Sequence, residues 1–426
     1  MRILMFGWEF PPYMSGGLGT ACLGMTRALT DARIKILFVM PGQAPAHEDR
    51  FMRFIDPDVY RVRNEREDDS SERNGLMTRF IVNSSLTPYQ NVRTYGPVYG
   101  NRATGILSGF GNPDARSFSP YGSNLFSEVW RYAYAAETIA LSETFDIIHS
   151  HDWMTVPAAI RAREISGRPW IFHVHSLEQD RSGESVNPEI FDMERRGLAE
   201  ADRIIAVSNY TRKRIVDCYG IPVDRIAVVH NGVTHINGSE HINVFRKPGQ
   251  KKNVLFLGRI TFQKGPAYFI EAAAEVLKRI PETTFLMAGS GDMMTGMIER
   301  VAELGIGKHF HFTGFLRGED VDHIFRMSNL YVMPSVSEPF GLSPLEATRY
   351  GVPVILSRQS GVAEVFHHCL LVDFWDVRDM VDKIIALLRY EPLVRELQIR
   401  AREELLRTTW EGAASKIEAV YKAMLN

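Results

Sequence analysis

The first half of the chain alternates between short apolar runs and stretches with helical spacing. A run of about four to eight apolar residues between polar segments is typical of a strand buried on both faces of a parallel sheet. Such strands separated by helices predict an α/β fold built on a parallel sheet. The runs that predict strands are residues 3–6, 34–40, 145–149, 170–174 and 204–207.

A polar, irregular stretch divides the chain after this series. Residues 234–252 contain Gly238, Pro248 and Gly249 and few apolar side chains, so they predict a linker. Apolar runs then resume and predict a second doubly wound domain. We therefore expect a first domain over residues 1–240 and a second over residues 250–408. The second series of predicted strands covers residues 254–257, 284–288, 309–313, 330–334 and 352–357.

Size and composition agree with two domains. The chain has 426 residues, of which 45% are hydrophobic, and this is enough to fill two cores. Lysine and arginine together number 49 and acidic residues number 51, so no overall positive charge attracts nucleic acid or an anionic membrane. We expect no nucleic-acid partner, and any anionic ligand must be bound by local groups.

Cysteines and the N-terminal sequence bear on the compartment. Cys22, Cys218 and Cys369 are the only cysteines, and their spacing fits neither a disulfide framework nor a structural zinc site. Glu9 and Pro11 fall where a signal peptide would be apolar, and no apolar run is long enough to span a membrane. We expect a cytoplasmic protein without an integral membrane segment, and the sequence gives no prediction of its oligomeric state.

A glycine-rich turn follows the first predicted strand. Gly16 and Gly17 precede residues 20–29, which have helical spacing. A turn of this kind lets backbone N–H groups approach an anion at the positive end of a helix. The alternative is an ordinary tight turn between a strand and a helix.

Two cations lie close together at the start of the second domain. Arg259 and Lys264 are five positions apart on one predicted strand-to-helix loop. An arginine binds phosphate oxygens with two hydrogen bonds, and a lysine acts as a point charge, so the pair is able to clamp a diphosphate. The alternative is a solvated basic loop without a specific ligand.

The most specific motif comes where the fourth strand of the second series ends. Glu338 stands before a predicted helix and Glu346 within it. We expect Ser343 to cap this helix with Pro344 at its first position, so that the backbone N–H groups of residues 341–343 face an anion.

The two carboxylates of this motif are suited to hydroxyl groups. A phosphate repels a carboxylate, so the natural ligands of Glu338 and Glu346 beside a phosphate site are the hydroxyls of a sugar and of a ribose. The alternative is a loop charge and an ordinary residue of the first helical turn.

The second domain resembles that of retaining glycosyltransferases with the two-domain GT-B fold, especially family 4 and the related glycogen and starch synthases. The paired-glutamate motif carries this resemblance, and the other motifs fall in the family's order along nearly the whole chain. Those motifs are Gly16 and Gly17, Arg259 and Lys264, Ser290 to Asp292, and Ser360 with Gly361. The resemblance implies two Rossmann-like domains that face each other across a cleft.

The family's donor site transfers residue by residue onto this chain. The resemblance implies that Arg259 and Lys264 bind the donor diphosphate, that Glu338 contacts hydroxyls of the transferred sugar, and that Glu346 contacts the nucleotide ribose. It also implies retention of configuration without a covalent intermediate, a metal or a cofactor. The remaining donor-binding positions that we expect are Gly16, Gly17, Gly341, Leu342 and Ser343.

A histidine-rich run follows the third strand of the first series. His151, Asp152 and Trp153 are similar to a run that in glycogen synthases places a histidine beside the transferred sugar, and this implies the same place for His151 at the cleft edge. His149 and His151 two positions apart raise a metal site as an alternative, but their only histidine neighbours are His173 and His175, and we expect none. A histidine satisfied at a strand end is the plain structural alternative.

The segment 172–184 is polar directly after a strand, as a substrate-facing loop would be. We expect it to bind the acceptor through four of its side chains. These are His175, Glu178, Asp180 and Arg181.

The N-terminal opening, residues 7–12, and the long first domain resemble the glucan synthases more than shorter family 4 enzymes. This implies a hexosyl transfer, with glucose from ADP-glucose or UDP-glucose, to a carbohydrate acceptor, an α-glucan first. Glycogen and starch synthases usually carry a lysine where this chain has Met14, so the donor and glucan synthesis stay open.

Other activities also stay open. They are synthesis of a disaccharide, transfer to a lipid or cell-wall glycan, epimerisation of a nucleotide sugar, phosphorolysis, and sugar binding without catalysis. For the C-terminus, residues 410–424 have helical spacing, and the resemblance implies that this helix returns to pack on the first domain.

Overall fold

Two parallel sheets organise the molecule. The computed structural model describes residues 1–11, 16–42, 52–55, 77–83, 125–233 and 252–425. Met14 and all but the last residue of the predicted linker lie outside these ranges. Of the helices in the described part, none combines the length and the apolar character that crossing a bilayer requires.

The first domain is built on an eight-stranded sheet in the order β3-β4-β2-β1-β5-β6-β7-β8, with every pair parallel. The chain leaves β1 towards one edge and then returns to β5 on the other side of β1. Loops at the carboxyl ends of β1 and β5 therefore flank the point where the strand order reverses, which is where open α/β sheets bind ligands. The strands are β1 (Arg2–Phe6), β2 (Lys35–Gly42), β3 (Met52–Ile55), β4 (Met77–Asn83), β5 (Ile147–His151), β6 (Trp170–Val174), β7 (Arg203–Ala206) and β8 (Ile226–Val228).

Six described helices accompany this sheet. Apolar side chains of the sheet and of these helices form one buried core. The helices are α1 (Gly17–Asp31), α2 (Leu125–Ser142), α3 (Val156–Ser166), α4 (Glu178–Ser182), α5 (Pro188–Glu200) and α6 (Asn209–Tyr219).

The second domain repeats this plan with six parallel strands in the order β11-β10-β9-β12-β13-β14. Its reversal point lies between β9 and β12, so the loops after these two strands flank the second half of the cleft. The strands are β9 (Lys252–Leu257), β10 (Thr283–Ala288), β11 (Phe310–Gly314), β12 (Leu330–Met333), β13 (Val354–Ser357) and β14 (Leu370–Val372). The helices are α7 (Pro266–Arg279), α8 (Met294–Glu303), α9 (Glu319–Met327), α10 (Ser343–Arg349), α11 (Val377–Arg389) and α12 (Glu391–Leu405).

The fold class predicted from the apolar runs is confirmed, and every predicted run contains a strand. Four strands were not predicted: β3, β4, β8 and β14. β8 and β14 have only three residues each, and Arg53 and Arg79 interrupt the apolar pattern of β3 and β4. Charged residues within a short run hide it from a search for continuous apolar sequence.

The last helix, α13 (Trp410–Leu425), crosses back to the first domain. It packs on α1, and its buried side chains belong to the core of the first sheet. The contact is close at Gly24, where an added Cβ would lie 2.2 Å from the Trp410 ring. Tyr421 lies deeper in the same core, with its hydroxyl 2.6 Å from Nδ1 of His149. The C-terminal helix is therefore a structural part of the first domain's interior.

Candidate active site

The glycine turn and the glutamate motif face each other across the cleft. Gly17 begins α1 after β1, and Leu342 immediately precedes α10 after β12. A Cβ added to Gly17 would lie 3.9 Å from Cδ1 of Leu342. The structure thus brings together two motifs that are more than 300 positions apart in the sequence.

Lys264 and Glu338 form an ion pair within this cleft. Nζ of Lys264 lies 2.5 Å from Oε2 of Glu338, and the Ser335 hydroxyl donates to the same oxygen at 3.2 Å. The Glu338 residue is only 5% exposed, whereas the Lys264 side chain is 20% exposed. A buried carboxylate therefore holds the ammonium group at the position where a diphosphate is expected.

Glycine makes this loop geometry accessible. Gly265 has φ +65°, and a Cβ there would lie 2.1 Å from the carbonyl oxygen of Pro334. Because only glycine fits so close to another backbone, the loop that carries Lys264 lies directly against the end of β12. Gly341, at φ +98°, similarly allows the chain to turn from Glu338 into α10.

Arg259 lies at the start of the same loop and is half-buried. Its Nη2 donates to Oε1 of Gln263 at 2.8 Å. The backbone carbonyl of Gln263 in turn accepts from the N–H of Val336 at 2.9 Å. Both cations of the predicted clamp are therefore anchored on one rigid loop that is tied to the glutamate motif.

Glu346 lies one turn into α10 and is partly buried. Burial raises the pKa of its carboxyl group, while the Arg349 guanidinium lowers it and Asp322 raises it further. Its place in the first helical turn agrees with the prediction.

The predicted cap at Ser343 is wrong. The helix begins at Ser343 itself, with Leu342 in the capping position and no side-chain capping hydrogen bond. Pro344 therefore takes the second helical position, where its missing N–H is still tolerated.

The two domains meet through polar contacts beside Glu338. Ser337 Oγ donates to Oδ1 of Asp180 at 2.6 Å and lies 2.9 Å from the Tyr210 hydroxyl. The same Asp180 oxygen is 2.9 Å from Nε of Arg214. Asp180 thus connects the glutamate motif of the second domain to α4 and α6 of the first.

A second polar contact joins the domains at the N-terminus of α6. Glu364 accepts hydrogen bonds from the backbone N–H groups of Asn209 at 2.8 Å and Tyr210 at 2.7 Å, and lies 2.8 Å from Nε2 of His230. Burial alone would raise the pKa of Glu364, but these hydrogen bonds outweigh it and lower the pKa to about 2. A carboxylate at this helix end is also favoured by the helix dipole.

The pKa of Glu364 predicts a dependence of stability on pH. A carboxyl group with an ordinary pKa of 4.5 when unfolded and about 2 when folded stabilises the folded state above pH 4.5, by at most about 3 kcal/mol because solvent screens this partly exposed group. This contribution is lost as the pH falls from 4.5 towards 2. We expect Glu364→Gln to be less stable than wild type at pH 7, with the gap narrowing below pH 4.5. Urea unfolding of both proteins between pH 3 and 7 measures the difference in their free energies of unfolding. A difference that does not change with pH would contradict the prediction.

Four histidines stack on one face of the first sheet at the carboxyl ends of β5 and β6. His149 and His151 lie on β5, and His173 lies on β6 in register with His151. Their ring centroids are 4.5 to 5.3 Å apart, and His175 continues the stack 4.4 Å from His173. Burial first, and the neighbouring imidazoles second, lower the pKa of His149, His151 and His173 well below the ordinary value. The rings are therefore neutral at pH 7.

The structure places His151 differently from the prediction. β5 runs to His151, two residues beyond the end of the predicted run 145–149, and the His151 side chain is fully buried. Its Nδ1 lies 2.9 Å from Nε2 of His175. Its Nε2 has no hydrogen-bond partner among the described residues.

Asp152 links the ends of β5 and β6. Its backbone has φ +57°, a strained value for a residue with a side chain. Its Oδ1 accepts from the N–H groups of His175 at 2.7 Å and Ser176 at 3.2 Å. These hydrogen bonds hold the histidine-bearing strand ends together.

Residues 178–182 form the short helix α4 where the sequence suggested a loop after β6. Glu178 and Asp180 are buried on the short helix α4, and Arg181 pairs with Glu178 at 3.2 Å and with Glu194 at 2.7 Å. Polar residues after a strand form internal ion pairs here because α5 and α6 cover them. Of the four expected acceptor residues, His175 is partly exposed, and acceptor binding stays a prediction.

Sequence reasoning missed three residues that shape the site. Ser335 and Ser337 directly precede Glu338 in the sequence. Small polar residues so close to the motif could have indicated that they belong to the site. Glu364 gave no such signal, because its role depends on a helix in the other domain.

Two family models match the chain in succession. The model described as Glycosyltransferase Family 4 matches residues 98–235, and the model described as Glycosyl transferases group 1 matches residues 238–404. The first falls mainly on the domain with the histidines, and the second covers the domain with the glutamate pair.

Relatives and solved structures extend this similarity over the whole chain. An uncharacterized glycosyltransferase of Methanocaldococcus jannaschii is 28% identical over 86% of this chain and 83% of its own length. A glycogen synthase of Mycobacterium tuberculosis is 24% identical over 99% of this chain and 95% of its own. The crystal structure of Anabaena HepE in complex with UDP and glucose covers 99% of this chain and 100% of that chain, with a TM-score of 0.66 and 16% identity, a likeness in fold.

Proposed function

We propose that this chain, which is a glycosyltransferase of the family 4 type with the GT-B fold, transfers a glucosyl group from ADP-glucose or UDP-glucose to an α-glucan. The observation that carries the proposal is the Lys264–Glu338 pair, which sets a cation, proposed to bind the diphosphate, beside a buried carboxylate, proposed to bind sugar hydroxyls. A protein that binds neutral glycans alone has little use for that combination.

In the proposed reaction, the donor diphosphate displaces the carboxylate as the partner of Lys264. Arg259 and Lys264 then stabilise the negative charge that grows on the diphosphate as its bond to the anomeric carbon breaks. Glu338, released from Lys264, accepts hydrogen bonds from hydroxyls of the transferred sugar, and Glu346 contacts the ribose. This exchange of partners is supported by the short Lys264–Glu338 distance and by the partial exposure of Lys264.

The acceptor hydroxyl attacks the anomeric carbon on the face from which the diphosphate leaves, so configuration is retained. The acceptor proton passes to the departing phosphate oxygen, and no protein nucleophile or bound metal takes part in this scheme. His151 is proposed to lie beside the transferred sugar, with Nε2 available as a hydrogen-bonding atom. Cleft closure would exclude water and limit hydrolysis of the donor.

Support for glucose and for a glucan comes from two relatives and from the length of the match. The mycobacterial relative that aligns over nearly all of this chain is a glycogen synthase. The Anabaena protein that shares the fold was solved with UDP and glucose. The match of the mycobacterial enzyme over 99% of this chain also agrees with the long first domain that we expected from the sequence.

A donor screen with a matched variant tests the proposal. ADP-glucose, UDP-glucose, GDP-mannose and UDP-N-acetylglucosamine are offered with and without glycogen, and the released nucleoside diphosphate is measured. We expect release from a glucose donor to rise with glycogen and to fall about 100-fold or more in Glu338→Gln. Glu396→Gln, an exposed glutamate of α12 in a surface ion pair, serves as the control and should keep wild-type activity.

The outcomes separate the alternatives. If the rate of release from a glucose donor does not change with glycogen but rises with a small sugar phosphate or a lipid, that compound replaces the glucan as the proposed acceptor. Conversion of the donor to another nucleotide sugar without release would identify an epimerase. No release from any donor would refute transfer and leave a binding protein.

A further inference from the structure

The stacked histidines carry a feature that sugar transfer does not require. One ring nitrogen from each of His149, His151 and His173 lies within 4.8 Å of the other two. We propose that these three side chains bind a divalent transition-metal ion of the Zn²⁺ class on the face of the first sheet. The sequence led us to expect no metal, because it does not show that β5 and β6 direct these rings to one place.

The strand register explains the convergence. His149 and His151 are two positions apart on β5, so both side chains point to the same face of the sheet. His173 is the neighbour of His151 on β6 and presents its ring on that face as well. Three imidazoles from two adjacent strands are a donor set that suits Zn²⁺, Co²⁺, Ni²⁺ or Cu²⁺, and with no carboxylate among them it does not suit Mg²⁺ or Ca²⁺.

The second nitrogens of His149 and His151 are already engaged in hydrogen bonds. A metal-bound histidine usually uses its other ring nitrogen in a hydrogen bond that fixes the ring. Nδ1 of His149 lies 2.6 Å from the Tyr421 hydroxyl, and Nδ1 of His151 lies 2.9 Å from Nε2 of His175. This leaves Nε2 of His149 and of His151 for the ion.

Two buried nitrogens lack a partner, which is unusual in a protein interior. Nε2 of His151 and Nε2 of His173 have no hydrogen-bond partner among the described residues, and both residues are at most 2% exposed. Because burial keeps the rings neutral, each offers a lone pair without first losing a proton. A bound cation would satisfy these atoms.

Binding requires a small movement of the rings. Zn–N bonds of about 2.0–2.1 Å place tetrahedral ligand nitrogens about 3.3 Å apart, so nitrogens that lie within 4.8 Å of one another must approach by at most about 1.5 Å. Rotation of the imidazoles about their side-chain bonds supplies this movement. The 3.2 Å contact between Nε2 of His149 and Nδ1 of His173 would be given up as Nε2 of His149 turns to the ion, while His173 binds it through Nε2. A water molecule completes the fourth position.

The metal would oppose the proposed transfer. An ion on Nε2 of His151 occupies the atom that is proposed to face the transferred sugar, so we expect Zn²⁺ to inhibit and a chelator to restore activity. Metal binding itself is measured without any substrate. The site can therefore exist even if the proposed reaction is wrong, and the reaction can be right without the site.

The test titrates the full chain, freed of metal with a chelator, with Co²⁺ and with Zn²⁺. We expect one equivalent to bind per chain and Co²⁺ to give the visible absorption of a four-coordinate site, which added Zn²⁺ abolishes. His173→Gln should weaken binding at least about 100-fold. His311→Ala, an exposed histidine of the second domain, should bind as wild type does.

Wild-type protein that binds no stoichiometric Co²⁺ would overturn the proposal without reference to any variant. Retention of full affinity in a folded His173→Gln would also overturn it. If His173→Gln does not fold, as judged by circular dichroism, His149→Gln is used for the same comparison. Loss of binding in His311→Ala would place the metal elsewhere and refute this site.

Discussion

Replacing Lys264 by methionine is expected to reduce sugar transfer by about 100- to 1,000-fold. The change keeps the length of the side chain and removes the ammonium group, so the departing diphosphate loses one of its two proposed cations. Because that charge develops as the bond breaks, the loss should fall mainly on kcat, with a smaller change in KM. Initial rates of nucleoside diphosphate release from the active donor measure it.

The same variant also leaves the buried Glu338 carboxylate without its cation, so stability must be followed beside activity. Circular dichroism at the assay temperature shows whether the variant is folded. Lys278→Met is the matched control, because Lys278 is 68% exposed and, within the described part of the chain, its ion-pair partner is Glu275 on its own helix. A folded Lys264→Met enzyme with near wild-type kcat would remove Lys264 from the proposed diphosphate site.

The fold could be predicted from the sequence wherever a continuous apolar run corresponds to a strand that is buried on both faces. The continuous apolar runs became β1, β5, β6 and their equivalents in the second domain because parallel strands buried on both faces need apolar side chains throughout. Strand ends were less predictable. The polar residues 149–151 continue β5 because the β6 neighbour supplies hydrogen bonds and because Asp152 ties the two strand ends.

The candidate site could be predicted only in part, because its contacts join segments that are distant in the sequence. Residue types and short spacing identified Lys264 and Glu338 separately, whereas their ion pair depends on the glycine contact between two loops that are about 70 positions apart. Asp180 was expected to bind the acceptor because it follows a strand. In the structure, its side chain instead contacts Arg214 and Ser337, which lie on elements that only the tertiary structure brings near it.

The contacts between the domains are mostly polar beside the site. Ser208 donates to the carbonyl of Pro339 at 2.6 Å, and Glu364 accepts from α6. Contacts of this kind exchange with water at little net free-energy cost, unlike a continuous apolar interface. Opening of the cleft would therefore break a few hydrogen bonds next to Glu338 and would also expose Val207, which is buried in the apolar cluster of the second domain.

Trp410→Ala is expected to lower the free energy of unfolding by about 3–5 kcal/mol, the range for removing a buried tryptophan. Trp410 is 6% exposed and packs so closely on α1 that Gly24 has no room for a Cβ. Its loss leaves a cavity between α1 and α13 and loosens the helix whose Tyr421 contacts His149. Urea unfolding followed by far-UV circular dichroism measures the change without relying on tryptophan fluorescence.

Trp375→Ala is the matched control, because Trp375 is 58% exposed and should cost no more than about 0.5 kcal/mol. The comparison separates a role of α13 in the first domain from a general effect of losing tryptophan. Equal stability of the two variants would mean that α13 does not contribute to the first core. A large loss of stability confined to Trp410→Ala should also reduce the proposed transfer although Arg259 and Lys264 are unchanged, since Tyr421 of α13 contacts His149 on β5, the strand that also carries His151.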